Sequence, residues 1–222
     1  QEDFASQYRY MSEEEANKLF AQMISSSDQN TYPLLNEETR KNGKPDILVI
    51  IMESFANDIM PSVGTHKDVA VCLDSIAKKG IFFSRFYSNT FRTDRGLVAV
   101  LSGYPAQPTT SIMRYPAKSA QLPSLARSLA KAKHYGNAYY YGGDVDFANQ
   151  RSWLVSQGYE RIISDSDFPI EDKLSKWGVH DHIVANRLLA DIKKEQNAKQ
   201  PMLRIFQTSS SHEPFDVPYS RL

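Results

Sequence analysis

Short apolar runs alternate with segments of helical periodicity along most of the chain, starting near residue 46. Residues 47–52 (ILVIIM) are apolar without interruption, as in a parallel strand that helices cover on both faces. Further strands are predicted at residues 81–83, 138–141, 161–163 and 202–206, with helical segments between them. Repeated βαβ units give this alternation, so the pattern predicts an α/β fold with a largely parallel central sheet, helices on both faces, and residues 47–52 as the central strand.

The first forty-odd residues do not show this alternation of apolar runs and helical segments. Ser12 and Glu15 have the spacing of a capping box, and apolar residues from 19 to 24 follow at helical spacing. A polar stretch, residues 36–44, then leads to the turn signal Gly43-Lys44-Pro45. We therefore predict an N-terminal helical segment and linker at residues 1–44 and a main α/β domain at residues 45–222.

Composition excludes several classes of protein. The 26 basic and 26 acidic residues give a formal net charge of zero, which argues against a broadly basic, nucleic-acid-coating surface. The longest apolar run is far shorter than the roughly 20 residues that cross a bilayer, and the first ten residues lack the apolar core of a signal peptide. We therefore expect any targeting or anchoring segment to precede residue 1. The single cysteine, Cys72, excludes an internal disulfide and a four-cysteine zinc site.

Polar side chains that directly follow predicted strands are the first candidates for chemistry, because ligands of open parallel sheets bind beyond the carboxyl ends of the strands. Glu53 follows the first strand, Asp144 follows the tyrosine-rich strand, and His212 follows the last one. A carboxylate at the end of an apolar strand needs a cation or hydrogen bonds, so Glu53 is either a metal ligand or a cap of the next turn through Ser54. Asp144, after two glycines, is either a turn residue or a ligand contact.

The segment NTFRTDRG at residues 89–96 suits an anion. A helix is predicted to begin at Thr93 or Asp94, so its backbone amides and dipole would stabilise a phosphate, with Arg92 and Arg95 adding positive charge. The same environment would lower the cost of forming a threonine alkoxide for attack on phosphorus. An ordinary threonine cap with solvated arginines is the alternative.

Among the histidines, His212 is the best placed for phosphate chemistry. It lies among small hydroxyl residues at a strand end, where it would contact a phosphoryl oxygen or a leaving group. His180 and His182 form a His-x-His pair at the start of a helix that Asp181 is predicted to cap. Residues two apart at a helix start do not face each other.

Seven segments, taken together and in order, resemble the sulfatase-like domain of lipoteichoic acid synthases and related phosphoglycerol transferases, a branch of the alkaline phosphatase superfamily. They are residues 47–55 (ILVIIMESF), 73–86 (LDSIAKKGIFFSRF), 92–105 (RTDRGLVAVLSGYP), 122–125 (LPSL), 141–147 (YGGDVDF), 177–179 (WGV) and 211–218 (SHEPFDVP). The resemblance implies an alkaline phosphatase/sulfatase-like fold, with residues 1–44 on the juxtamembrane side and residues 45–222 as the N-terminal part of the catalytic domain.

The resemblance also implies an activity and a location. It implies metal-dependent transfer of a phosphoglycerol group from a phospholipid donor to a glycan or glycerol-phosphate acceptor of the cell envelope, through a phospho-threonine intermediate. One divalent cation, Mn, Mg or Zn, would be the cofactor. The enzyme would work at the extracytoplasmic face of the bacterial cell membrane, periplasmic or extracellular, anchored by an upstream membrane segment, and nucleic acid is not among its expected partners.

Site residues carry over by position. Glu53 would be a metal ligand, and Thr93 would be both metal ligand and nucleophile. The substrate-binding positions that the resemblance implies are His212, Asp144, Arg92 and Arg151.

The sequence departs from the family pattern at several points. Gly142 stands where the best-known lipoteichoic acid synthases have a histidine, and Thr93-Asp94-Arg95 replaces the Cys/Ser-x-Pro-x-Arg segment of sulfatases, which disfavours sulfate-ester hydrolysis. Family members complete the metal site with an Asp-His pair, and no such pair follows His212 before Leu222. We therefore expect this sequence to hold about the first half of the site, to be incomplete at its C-terminus, and to be inactive by itself.

Other functions remain open at this point. Water as the acceptor would make the same site a phosphodiesterase, phosphatase or sulfatase-type hydrolase, and phosphoethanolamine transfer uses related threonine chemistry. An inactive envelope binding module on the same scaffold is the alternative without catalysis.

Overall fold

The computed structural model describes residues 3–25 and 37–216, and it divides into two compact units, Gln1–Glu37 and Glu38–Leu222. Most of the predicted linker falls at described residues 37–44, whereas Asn36 and the end of the 211–218 segment lie outside the described residues. The predicted division at residues 44 and 45 is not tested by this partition and stays a prediction.

The first unit contains helices α1 (Phe4–Tyr8) and α2 (Glu13–Ile24). The predicted capping box is present at the start of α2: Ser12 Oγ accepts a hydrogen bond from the Glu15 amide at 3.2 Å, and the Ser12 amide donates to Glu15 Oε2 at 3.2 Å. Two amide groups that helix formation would leave unpaired are thereby satisfied. Helix α3 (Glu37–Asn42) falls at the division between the units.

The second unit alternates strands and helices, as the pattern predicts. Its elements are β1 (Ile47–Ile51), α4 (Val71–Ala77), α5 (Thr93–Ser102), α6 (Pro116–Ser119), α7 (Leu125–Lys133), β2 (Gly136–Tyr141), α8 (Gln150–Ser156), β3 (Arg161–Ile163), α9 (Asp181–Glu195) and β4 (Met202–Gln207). Residues 81–83, predicted as a strand, form none.

Four parallel strands form one sheet in the order β1-β4-β2-β3, which confirms the predicted fold class. The prediction that residues 47–52 form the central strand is wrong for the described sheet, because β4 inserts between β1 and β2 and leaves β1 at the edge. Leu48 and Ile50 are 46% and 52% exposed on one face of β1. An uninterrupted apolar run indicates two apolar faces, but it does not indicate the position of a strand in the sheet.

The core lies on both faces of the two inner strands. On one face, Ala138, Tyr140 and Phe206 pack with Val184 and Leu188 of α9. The side chains that alternate with them on the other face are fully buried too; they are Tyr139, Leu203 and Ile205. Burial on both faces fixes the register of β2 against β4, because a slip of one residue would exchange the two sets.

Two adjacent leucines of α9 provide a test of this packing. Leu188 is 3% exposed and Leu189 is 52% exposed. We expect Leu188→Ala to lower the free energy of unfolding by about 3 kcal/mol, through lost apolar burial and the cavity left behind. Leu189→Ala, the matched control, should change it by less than about 0.5 kcal/mol. Urea unfolding of both variants measures the difference, and equal losses would contradict the packing of α9.

Candidate active site

A cleft of about 410 Å³ opens at the carboxyl ends of β1, β2 and β4. Four of the six site residues expected from the resemblance line it: Glu53, Arg92, Thr93 and His212. Asp144 and Arg151 are not among its lining residues. The other residues along its wall are Ser54, Phe91, Asp94, Tyr141, Phe147, Ala148, Gln150, Trp177, Gln207, Thr208 and Ser209.

The centre of the cleft is a hydrogen bond between Thr93 and Glu53. Thr93 is the first residue of α5, and its Oγ1 donates to Glu53 Oε2 at 2.7 Å. Ser54 Oγ donates to the other carboxylate oxygen at 3.1 Å. The contact with Ser54 fits the interpretation of Glu53 as a cap of the next turn. The contact with Thr93, in contrast, joins the end of β1 to the start of a helix 40 residues later.

Helix α5 is anchored firmly enough to fix Thr93. Leu97, Val98 and Leu101 form its buried face, and Gly103 ends it in the left-handed conformation at φ 64°. The helix start predicted at Thr93 or Asp94 is therefore correct. Thr93 consequently lies at the positive end of the α5 dipole, where an anion is stabilised.

The two arginines that flank this helix start have different surroundings. Arg92 lines the cleft, and its Nε lies 3.0 Å from Asp94 Oδ1, whereas Arg95 Nη1 donates to the carbonyl oxygens of Gln107 and Pro108 at 3.1 and 2.7 Å. Asp94 is buried, and its Oδ2 has no hydrogen-bond partner among the residues described. Positive charge beside Thr93 therefore comes from Arg92, and Arg95 serves to hold the loop that follows the helix.

The loop after β4 is tied to the loop after β1 by three hydrogen bonds. The Thr208 amide donates to the Ile51 carbonyl at 3.0 Å, the Glu53 amide donates to Thr208 Oγ1 at 2.8 Å, and Ser211 Oγ donates to the Glu53 carbonyl at 2.5 Å. The backbone of Glu53 is therefore held from both sides. This network brings the His212 loop beside the Thr93–Glu53 pair.

Asp181 holds the same loop from the opposite side. The sequence predicts that this residue caps α9, but the structure has His180 at the cap position and Asp181 at the first helical position. Its Oδ1 accepts from the Ser209 amide at 2.7 Å, and its Oδ2 accepts from the Ser210 amide at 3.0 Å. Sequence reasoning missed this contact because 28 residues separate Asp181 from Ser209.

His212 is oriented by its own backbone and by Trp177. His212 Nδ1 lies 3.0 Å from the Glu213 carbonyl oxygen, and since a carbonyl only accepts, Nδ1 carries a proton and Nε2 is left for the cleft. The ring centroids of Trp177 and His212 lie 4.1 Å apart, and Trp177 Nε1 donates to the Glu213 carbonyl oxygen at 2.7 Å. The tryptophan thereby fixes the plane of the imidazole.

Gly142 explains how Trp177 reaches the cleft. The Val179 amide donates to the Gly142 carbonyl at 2.8 Å, and a Cβ at residue 142 would lie 2.1 Å from the Val179 carbonyl oxygen. The segment that carries Trp177 thus packs directly on the backbone at the end of β2. A histidine at this position, as in the best-known lipoteichoic acid synthases, is incompatible with that packing.

Asp144 lies in an exposed turn next to the cleft, and Arg151 is the second residue of α8, which follows it. Asp144 Oδ1 accepts from the Asp146 amide at 2.8 Å, which fits the turn interpretation of this residue. Arg151 Nε donates to Asp146 Oδ1 at 2.7 Å. This ion pair raises the pKa of Arg151. The substrate-binding roles of Asp144 and Arg151 stay predictions.

Tyr141, Gln150 and Gln207 are polar cleft residues that were not singled out from the sequence. Tyr141 and Gln207 are the last residues of β2 and β4. Burial, with nearby Glu53 and Asp144 among the further causes, raises the pKa of Tyr141 to about 12, so its hydroxyl stays neutral. The available signal was a polar residue at the end of an apolar strand, the same signal that drew attention to Glu53.

The donor set of the cleft fits part of a divalent metal site. Thr93 Oγ1 and Glu53 Oε2 are hard oxygen ligands 2.7 Å apart, close to the spacing of about 2.9 Å between adjacent ligands around octahedral Mg²⁺. Within residues 3–25 and 37–216, however, no group of three or more His, Cys, Asp and Glu side chains could hold a metal ion. Two protein oxygens are too few for such a cation, so substrate, water or residues outside these ranges would have to supply the others.

Comparison with known protein families shows that the family model described as Sulfatase matches residues 45–221, which is most of the chain. Phosphoglycerol transferase I of Xanthomonas campestris pv. campestris, from strain B100 and from strain ATCC 33913, is 28% identical over 131 residues. The match covers 55% of this chain and 18% of that protein, so the chain matches less than a fifth of the length of these relatives.

Two solved structures share the fold. A protein of the alkaline phosphatase superfamily from Vibrio parahaemolyticus superposes with a TM-score of 0.74 at 21% identity, over 81% of this chain and 44% of that one. The lipoteichoic acid synthase LtaP from Listeria monocytogenes superposes with a TM-score of 0.75 at 17% identity, over 90% of this chain and 48% of that one. The predicted alkaline phosphatase-like fold and the resemblance to the lipoteichoic acid synthase branch are confirmed.

No helix in the described ranges is both long and apolar enough to cross a membrane.

Proposed function

Since this chain belongs to the sulfatase family, we propose that its α/β domain transfers a phosphoglycerol group from a phospholipid to a hydroxyl acceptor of the cell envelope. The observation that carries the proposal is the 2.7 Å hydrogen bond from Thr93 Oγ1 to Glu53 Oε2 at the start of α5. A hydroxyl held by a carboxylate, at a helix N-terminus and beside Arg92, has the surroundings of a nucleophile that attacks an anionic phosphodiester. The similarity to phosphoglycerol transferase I supports phosphoglycerol as the transferred group.

The first step forms a covalent phospho-threonine. Thr93 Oγ1 bonds to phosphorus as the bond from phosphorus to the diacylglycerol oxygen breaks. The hydroxyl proton passes to Glu53 Oε2, which already accepts it. The departing diacylglycerol oxygen takes a proton from protonated His212 through Nε2, the ring atom that the Glu213 carbonyl leaves free.

The second step reverses these roles with a new alcohol. A hydroxyl of the acceptor attacks phosphorus and gives its proton to His212, while the Thr93 oxygen leaves and recovers its proton from Glu53. The phosphoglycerol group is then esterified to the acceptor, and both side chains return to their starting protonation states. Arg92 balances phosphate charge throughout, and we propose that Asp144 and Arg151 contact the substrate from the side of the cleft.

One divalent cation, Mn, Mg or Zn, would be held by Glu53 and Thr93. When bound, it would lower the pKa of the threonine hydroxyl and neutralise phosphate charge. We propose that residues 1–44 join the catalytic domain, residues 45–222, to the membrane. The extracytoplasmic face of the bacterial cell membrane is the proposed place of action, because both the lipid donor and the envelope acceptor are found there.

The test uses the full-length natural protein with vesicles of phosphatidylglycerol labelled in the glycerol headgroup. Mn²⁺, Mg²⁺ and Zn²⁺ are supplied in separate reactions, each with and without a glycan acceptor. We expect release of diacylglycerol and movement of the label to the acceptor. Label recovered as free glycerol phosphate in the presence of acceptor would identify a hydrolase, and no diacylglycerol release with any cation would refute the proposal.

A further inference from the structure

Two neutral hydrogen-bond donors lie side by side on the floor of the cleft. Tyr141 and Gln207 are paired across β2 and β4, so their side chains leave the sheet on the same face. Both residues line the cleft. Neither enters the transfer chemistry proposed above.

The Gln207 side chain is held in one orientation by two donors. Tyr139 Oη donates to Gln207 Oε1 at 2.5 Å, and Gln150 Nε2 donates to the same oxygen at 2.8 Å. With Oε1 occupied twice, the amide nitrogen Nε2 is the end that remains for a ligand. Gln207 is only 2% exposed, so the surrounding packing leaves the amide little freedom to turn.

The nitrogen of this amide is available to a ligand. Gln207 Nε2 makes no hydrogen bond to any residue in the described ranges, and it is not among the unpaired atoms that are sealed from solvent. Because Gln207 lines the cleft, this N–H group is open to it. The Tyr141 hydroxyl likewise has no hydrogen-bond partner among the described residues and is not sealed from solvent.

These donors lie next to the reacting groups. Gln207 precedes Thr208, whose Oγ1 accepts from the Glu53 amide at 2.8 Å, and Glu53 in turn holds Thr93. Neutral donors add no charge to balance a phosphate, for which Arg92 is present. They suit an uncharged oxygen close to the phosphate, and a buried amide left without such a partner costs binding energy.

We propose that Gln207, together with Tyr141, binds a hydroxyl of the alcohol esterified to the phosphate, so that the cleft selects polyol phosphates over phosphates of simple alcohols. This inference rests on the proposed function and names the residues that recognise the transferred phosphoglycerol group. Gln207 acts here as a specificity-determining residue, and Gln150 and Tyr139 position it.

Binding measurements test this subsite without turnover. Isothermal titration of the full-length protein compares sn-glycerol 1-phosphate with n-propyl phosphate, which has the same carbon chain and phosphate but lacks both hydroxyls. We expect the wild-type protein to bind glycerol phosphate about tenfold more tightly. Gln207→Glu keeps the acceptor for Tyr139 and Gln150 but removes the donor, and its added charge weakens both ligands alike, so the ratio should fall to within twofold.

Tyr141→Phe is the second variant, because it removes a cleft hydroxyl without leaving a buried partner unpaired. It should also lower the ratio, whereas Tyr140→Phe, the matched control on the opposite face of β2, should leave it at the wild-type value. A wild-type protein that binds the two phosphates equally, or a ratio unchanged in both cleft variants, would overturn the subsite. Failure of the transfer reaction is seen separately, as absent diacylglycerol release from the vesicles.

Discussion

Replacing Thr93 by alanine is expected to lower the rate of diacylglycerol release from phosphatidylglycerol at least about 10³-fold. The variant lacks the oxygen that would bond to phosphorus, and no other hydroxyl donates to Glu53 Oε2 among the described residues. The helix start remains, so phosphate should still bind at the N-terminus of α5 with an affinity within about threefold of the wild type. Release assays and titration with inorganic phosphate measure the two quantities.

Thr93→Ser is the matched control for this variant. A serine keeps the hydroxyl one bond from the same backbone position, and we expect it to retain at least about a tenth of the wild-type rate. An alanine variant that releases diacylglycerol as fast as the wild type would remove Thr93 from the reaction. A serine variant as slow as alanine would instead indicate that the methyl group, rather than the hydroxyl, matters.

Replacing Glu53 by glutamine is expected to lower the same rate about 10²-fold or more. The amide oxygen can still accept from Thr93, so the packing and the thermal stability should change little. What is lost is the negative charge that takes the hydroxyl proton and that would bind a divalent cation. Activity titrated with Mn²⁺ at increasing concentration, beside a thermal melt, separates these effects from misfolding.

Glu213→Gln is the control for loss of a carboxylate near the cleft. Glu213 is exposed, and its carbonyl oxygen accepts from Trp177 in the described structure. We expect the Glu213→Gln variant to release diacylglycerol at a rate within twofold of the wild type. A Glu53→Gln variant within threefold of the wild type would show that the carboxylate does not serve in the reaction.

The fold class could be predicted from the sequence, but the order of the strands could not. Alternating apolar runs and helical segments specify parallel βαβ units, because only a parallel sheet needs a crossover after every strand. Which strands become neighbours depends on contacts between distant segments. Ile47 of β1 pairs with Leu203 of β4, 156 positions later in the chain. Nothing in the local pattern of residues 47–52 indicates that pairing.

The site was predictable where one residue follows a strand or begins a helix. Glu53, Thr93 and His212 meet because strand ends and a helix N-terminus share one edge of a parallel sheet. Tyr141 was predicted to lie inside its strand, and Gln207 was passed over although it directly follows the predicted strand 202–206. Their importance depends on the cross-strand pairing, which only the structure reveals.

The contacts of the His212 loop could not be predicted from the sequence either, because they too join segments that are distant along the chain. The carboxylate of Asp181 looks like a helix cap in the sequence, and in the structure it binds two amides of the His212 loop. Both uses satisfy a carboxylate with N–H groups, so the residue type predicts the kind of partner without identifying it. Likewise, Gly142 reads as a turn glycine, whereas its close approach to Val179 makes room for the Trp177 segment.

The most direct test of the central proposal is the identification of the covalent intermediate. The full-length protein would be mixed with phosphatidylglycerol in the absence of acceptor, stopped with acid within seconds, digested, and analysed by tandem mass spectrometry. We expect the mass of a glycerophosphoryl group on the peptide that contains Thr93, and its absence in the Thr93→Ala protein. Diacylglycerol release at the normal rate with an unmodified Thr93 peptide, or with the group on another residue, would contradict a phospho-threonine mechanism.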